Sequence, residues 1–117
     1  MKKIEAIIRA EKFVRVKKAL ANQGVDFFTY QVVKGVGNQE SVGANYRGAS
    51  YKIDSFDRIQ LSIVVGENKA DKIVDIILKE ANTGNIGDGK IFISEIDTMI
   101  RIRDGKVNEK AVEVALV

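Results

Sequence analysis

The chain has 117 residues, 45% hydrophobic and 30% charged: enough apolar material for one compact core, and too little length for two ordinary domains of about 100–150 residues. Cysteine, histidine and proline are absent, which excludes disulfides, thiol nucleophiles, thiolate-bound metal, Ser-His-Asp catalysis and the HExxH zinc site. The formal charge of +3 is mild and both signs are interspersed along the chain, so no nucleic-acid partner is expected.

What remains for chemistry is carboxylate, Lys, Arg and Tyr, a set suited to holding anions. Glu5 and Arg9 interrupt the apolar run of the N-terminus MKKIEAIIRA, unlike the core of a secretory signal, and no apolar run approaches the ~20 residues of a membrane helix. A cytoplasmic location is expected.

Lys2 to Arg9 alternates, with Ile4, Ala6 and Ile8 on one face, and predicts a strand. Phe13, Val16, Ala19, Leu20 and Gln23 follow at helical spacing, with Gly24 placed to stop the helix. Phe27 to Val33, FFTYQVV, is aromatic and β-branched and predicts a second strand. From Gly35 to about Asp54 apolar periodicity lapses, and a long loop is expected, functional by its length. Arg58 to Val65 alternates again, Ile59, Leu61, Ile63 and Val65 against Arg58, Gln60, Ser62 and Val64. Ala70, Ile73, Val74, Ile77 and Ala81 predict a helix, capped by Asn68 and ended before Gly84. Lys90 to Ile96 and a short Met99 to Arg103 segment predict closing strands before a polar tail.

This order is the doubled βαβ of the ferredoxin-like α+β class, a sandwich of two helices on one face of a four-stranded antiparallel sheet. The other face, with Ile7, Val33, Val64 and Phe92, is then left for a second subunit to cover.

Three segments carry candidate chemistry. Gly84-Asn-Ile-Gly-Asp-Gly89-Lys90 matches GxxxxGK, but Ile91 replaces the magnesium-binding hydroxyl and the order is helix, loop, strand, so it is no P-loop. Its glycines and Lys90 suit either an anion cradle or a plain turn after a helix. Arg101-Ile102-Arg103, read as a strand, sets two guanidiniums on one face about 6.5–7 Å apart with Ile102 toward the core, fit for adjacent phosphates or for a solvated edge. Tyr46-Arg47-Gly48-Ala49-Ser50-Tyr51 is either a recognition loop or an anchor for one.

Together MKKIEAIIR, KGVGNQ (34–39), YRGASY (46–51), TGNIGDGKIF (83–92) and RIR (101–103) resemble the PII family of nitrogen-regulatory signal proteins along essentially the whole chain. The resemblance implies a single domain over 1–117, with a long flexible loop, the T-loop, at about 37–55 and a tail at about 104–117. It further implies a homotrimer that binds ATP or ADP in three clefts between subunits. Gly35, Gly37, Asn38 and Gln39 with Gly87, Asp88, Gly89 and Lys90 belong to one subunit's share, and Thr29, Arg101 and Arg103 reach in from the next; Val64 is also in the nucleotide set. Gln39 matches the residue that joins Mg2+-ATP to 2-oxoglutarate, whose carboxylate falls to Arg58 where the family has lysine. In the loop, Tyr51 matches a uridylylated tyrosine, and Tyr46 and Arg47 match residues that meet targets such as an ammonium transporter or another nitrogen-metabolism enzyme or regulator. A transporter target would draw the protein to the membrane.

The chain departs from the family at Ala10, Phe27, Asn38 and Ala49 and through the stretch Glu40 to Asn45. The expected role is a regulator and not an enzyme. Competing readings are a slow ATP hydrolase using Lys90, Arg101 and Arg103, a related regulator that senses adenine nucleotides without 2-oxoglutarate, and a ferredoxin-like RNA binder, which lacks the aromatic RNP pattern.

Overall fold

The computed structural model describes residues 1–25, 27–40 and 51–108, with backbone alone at 38–40 and 51–54. Strand β1, Lys2–Arg9, buries Ile4, Ala6 and Ile8 and leaves the intervening residues half-buried, the pleat's consequence of strict alternation. A 3₁₀ turn, Ala10–Lys12, leads into helix α1, Phe13–Asn22, which buries Val16 and Leu20, one helical repeat apart. Gly24 follows with φ +82°, the left-handed conformation that ends a helix.

Strand β2 spans Thr29–Glu40 and β3 spans Tyr51–Val65, paired antiparallel from Thr29↔Ser62 to Glu40↔Tyr51. The strand expected at 27–33 therefore starts two residues later and continues, and the flanks of the expected loop are a ladder. The reason is that ladders are built from backbone amides: Gly35 and Gly37 stand opposite Phe56 and Asp54 with no side chain required. Lys34 and Asp57, opposed in this register, form an ion pair across the arms. Tyr46 and Arg47 fall within 41–50, outside the described residues, as do the side chains of Asn38, Gln39 and Tyr51.

Helix α2, Glu67–Ala81, buries Ala70, Ile73, Ile77 and Ala81 as its periodicity predicts. Its cap is Gly66 and not Asn68, because the chain leaves β3 directly into the helix and Asn68 already lies in the first turn. Strand β4, Gly89–Glu95, completes an antiparallel sheet in the order β2-β3-β1-β4. Both helices pack on one face over Ile4, Ala6, Ile8, Ile59, Leu61, Ile63 and Val65, the α+β ferredoxin-like arrangement. Each buried Ile, Leu or Val side chain among them contributes about 1.5–3 kcal/mol. Phe13 ties α1 to the start of β2, its ring 4.5 Å from that of Tyr30 and edge-on to Phe28 at 6.4 Å.

The last predicted strand is corrected. Between 99 and 108 the pairing is an isolated Ile100↔Val107 bridge, and Arg101 to Asp104 form a turn. The Arg101 amide donates to the Lys106 carbonyl at 2.8 Å, the Gly105 amide donates to the Arg101 carbonyl at 2.8 Å, and Gly105 takes φ +71°. Ile102 consequently points to solvent, 99% exposed, where the strand reading sent it to the core.

Candidate functional site

The sheet face away from the helices is open in the single chain. It carries Lys3, Glu5, Ile7 and Arg9 of β1, Arg58 to Val64 at alternate positions of β3, and Lys90, Phe92 and Ser94 of β4. Ile7, Val33 and Val64 are half-buried there, and Phe92 is 50% exposed. The candidate groups collect at the two ends of this face.

At one end the segment after α2 folds into a tight loop in which Gly84, Gly87 and Gly89 all adopt positive φ. Gly89 is the most constrained, since a Cβ there would lie 1.7 Å from the Ile7 carbonyl oxygen. The loop is organised around the carboxylate of Asp88. It accepts the amides of Thr83 at 2.8 Å and Gly84 at 2.9 Å, the Thr83 hydroxyl, and Nε of Arg9 at 3.0 Å. The Thr83 hydroxyl also accepts the Asn85 amide, and Asn82 caps the Gly84 amide. Donation by the Thr83 hydroxyl, with its amide, Arg9 and the Gly84 amide adding to it against the cost of burial, holds the Asp88 carboxyl well below its ordinary value.

A groove of about 380 Å³ opens beside this loop, walled by Gly87, Asp88, Gly89 and Lys90 and, across the sheet, by Gly35, Phe56 and Arg58. The Arg58 guanidinium lies over the Phe56 ring, 4.8 Å from its centroid, and donates to the Asp57 carbonyl at 3.0 Å. Among the described residues neither Lys90 nor Arg58 is paired with a carboxylate, whereas Asp88 is consumed by the loop, so the groove is cationic. A larger groove of about 500 Å³, between α2 and β4, is walled mainly by Val74, Ile77, Leu78, Ile91 and Ile93 and lies on the helix side.

At the opposite end Thr29 and Val64 meet in a second pocket of about 320 Å³ with Lys3, Phe27, Phe28, Ser62 and Met99. Arg101 and Arg103 wall none of these three cavities. Arg101 is turned back on Asp104, donating through Nε at 3.0 Å and through Nη2, which holds the Asp104 carboxyl well below its ordinary value. Its Nη1 is buried without a partner among the described residues, while Arg103 is exposed.

The profile of the family described as Nitrogen regulatory protein P-II matches residues 1–106. The chain belongs to the P-II family. A Nitrogen regulatory protein P-II of Pyropia yezoensis is 47% identical over 95% of this chain and 99% of its own length. One from Nostoc punctiforme is 46% identical over 96% and 100%, and Nitrogen regulatory protein P-II 2 of Methanothermobacter thermautotrophicus is 46% identical over 96% and 97%. The described residues that the resemblance implies for nucleotide and 2-oxoglutarate fall into three groups in this subunit. Gly35, Gly87 to Lys90 and Arg58 share one groove, Thr29 and Val64 share the other, and the arginine pair stands apart in its turn. No helix among the described residues is long and apolar enough to cross a membrane, and no cluster of three carboxylates able to hold a metal occurs among them.

Sequence reading missed Arg9, Phe56, Lys3 and Met99 as site residues. The alternation of β1 placed Lys3 and Arg9 on the open face, but contacts such as Arg9 to Asp88, 79 positions apart, leave no trace in spacing.

Because the folded Asp88 carboxyl is depressed, its contribution to stability is fully present above the ordinary carboxylate value of 3.8 and declines progressively as pH falls from there through the lower folded value. Asp88→Asn is expected to lower stability near neutral pH by about 1–3 kcal/mol, the scale of charge-assisted hydrogen bonds. Urea midpoints of the two proteins, taken from neutral pH to about pH 2, are expected to draw closer toward the acid end; a constant gap would contradict the assignment.

Proposed function

We propose that this protein is a nitrogen-regulatory signal protein that binds ATP or ADP in clefts between the subunits of a homotrimer and passes the nucleotide state to a target protein through the segment joining β2 and β3. The observation that carries this is the division of the candidate groups between opposite ends of one open face. Lys90 stands opposite Ile7 and Val64 opposite Lys3, four residues apart along β1 or about 13 Å, with the Glu5 carboxylate between them already paired with Lys3 at 2.8 Å. Within one subunit the cationic loop end and the Thr29 and Val64 end are thus separate half-sites. A neighbouring copy that brings its Thr29 and Val64 end to this copy's Lys90 end joins the two half-sites and covers the apolar part of the face.

The phosphates fall to Lys90 and the glycine loop, a cationic cradle whose own carboxylate is already saturated. The base falls to the pocket of Thr29, Val64 and the exposed Phe27 ring. Arg101 and Arg103 reach phosphate from the neighbour once the turn meets it. Mg2+ with ATP engages Gln39, and 2-oxoglutarate is taken by Gln39 and Arg58, whose planar guanidinium donates two hydrogen bonds to a carboxylate. Bound ATP with 2-oxoglutarate and bound ADP make different contacts at the base of the hairpin and so favour different arrangements of the target-facing segment. Tyr51, Tyr46 and Arg47 belong to that segment, with Tyr51 a candidate for modification. The targets are an ammonium transporter or an enzyme or regulator of nitrogen metabolism, with the protein cytoplasmic and drawn to the membrane by the first of these. Relatives named as regulatory proteins support a regulator over an enzyme.

Calorimetric titration with ATP, ADP and 2-oxoglutarate, run beside native mass measurement, tests the reading. A trimer binding adenine nucleotide is expected, with each of ATP and 2-oxoglutarate tightening the other. Independent binding would sink the coupled mechanism, and absence of 2-oxoglutarate binding would leave a regulator sensing nucleotides alone; a monomer that binds no nucleotide would overturn the reading.

A further inference from the structure

We propose that Arg9, at the end of β1, is a positioning residue that holds the 83–89 loop in its anion-receiving shape. This rests on the reading of that loop as a phosphate cradle. Arg9 is 13% exposed, and its fork spans two points of the loop: Nε donates to Asp88 Oδ1 at 3.0 Å and Nη2 to the Ile86 carbonyl at 3.0 Å. Asp88 in turn receives the Thr83 and Gly84 amides through its other oxygen. One guanidinium thus connects the middle of the loop, the start of β4 and the central strand. The guanidinium makes both contacts at once from two nitrogens fixed in one rigid plane, where lysine offers a single nitrogen.

The placement has an electrostatic consequence. In the β1–β3 register Arg9 stands opposite Arg58 on the open face. Pairing with Asp88 neutralises Arg9 and turns its donors into the loop, so the net positive charge of the groove is left on Arg58 and Lys90 at its wall. Without Arg9, the Asp88 carboxylate loses its cation and faces the same groove as an unneutralised negative charge. The loop would loosen and its field would oppose an incoming phosphate.

The test compares wild type, Arg9→Gln and Arg9→Lys by hydrogen exchange across residues 83–90 and by calorimetry with ATP, inorganic tripolyphosphate and adenosine. Arg9→Gln is expected to speed exchange of the loop amides and to weaken ATP and tripolyphosphate by about tenfold each, with adenosine unchanged. Arg9→Lys, which keeps the charge and one contact, is expected to fall between and serves if the Gln variant unfolds. Unchanged exchange and unchanged affinities in both variants would overturn the role, as would equal losses for adenosine and tripolyphosphate. If wild type binds none of the three while Arg9→Gln still speeds exchange, the nucleotide reading fails and the positioning of the loop by Arg9 stands.

Discussion

Gly89→Ala is expected to destabilise the protein by at least about 3 kcal/mol, a large share of the 5–15 kcal/mol that holds a typical domain folded. Two independent penalties fall on one methyl group. The residue has φ +105°, which an L side chain resists, and the added Cβ would sit 1.7 Å from the Ile7 carbonyl oxygen and 2.8 Å from its carbon. Ile7 belongs to the central strand, paired with β3 on one side and β4 on the other, so it has no room to retreat. The seam from Ile8↔Gly89 onward must part, and Asp88 and Lys90 move with it. Gly37→Ala is the control, since no atom lies within 4 Å of its Cβ position and its φ is ordinary; its urea midpoint is expected to stay near that of wild type. Equal midpoints for Gly89→Ala and wild type would contradict the packing.

Lys90→Ala is expected to do the opposite, weakening ATP binding by about tenfold to a hundredfold with the urea midpoint unchanged. Lys90 is exposed and makes no ion pair among the described residues, so the fold does not lean on its charge. Its backbone is fixed opposite Ile7, and its ammonium rises from the rim of the cationic groove. The loss is therefore confined to the ligand, and ADP is expected to lose less than ATP if the lysine serves the outer phosphates. Calorimetry with both nucleotides measures it; unchanged affinity would remove Lys90 from the cradle.

Much of this fold is legible in residue order because β1, β3 and both helices each bury one face. The strict alternation at Ile59, Leu61, Ile63 and Val65 and the helical repeat at Ala70, Ile73, Ile77 and Ala81 are burial written directly into spacing. Elements that bury no face are not legible in this way. The outer arms of the β2–β3 hairpin are held by backbone pairing, and their glycines read as loop. The RIR segment alternates like a strand, yet Asp104 and Gly105 after it are a turn signal, and the Arg101 to Asp104 pair closes that turn. Within the site, Lys90 and its glycines stood out as a motif, whereas the Arg9 brace and the Phe56 platform under Arg58 depend on contacts across strands and appear only in three dimensions.

The claim that each nucleotide is held between two subunits is tested most directly by mixing. On the proposed reading Lys90→Ala disables the loop end of a cleft and Arg103→Ala the group its neighbour brings, so neither variant alone forms an intact cleft. Subunits unfolded together in equal amounts and refolded should assemble at random, and roughly one cleft in four then joins an intact loop end to an intact opposite end. Calorimetry of the mixture is expected to recover that fraction of sites at wild-type ATP affinity. A mixture that binds no better than the average of its two pure components would contradict a shared site.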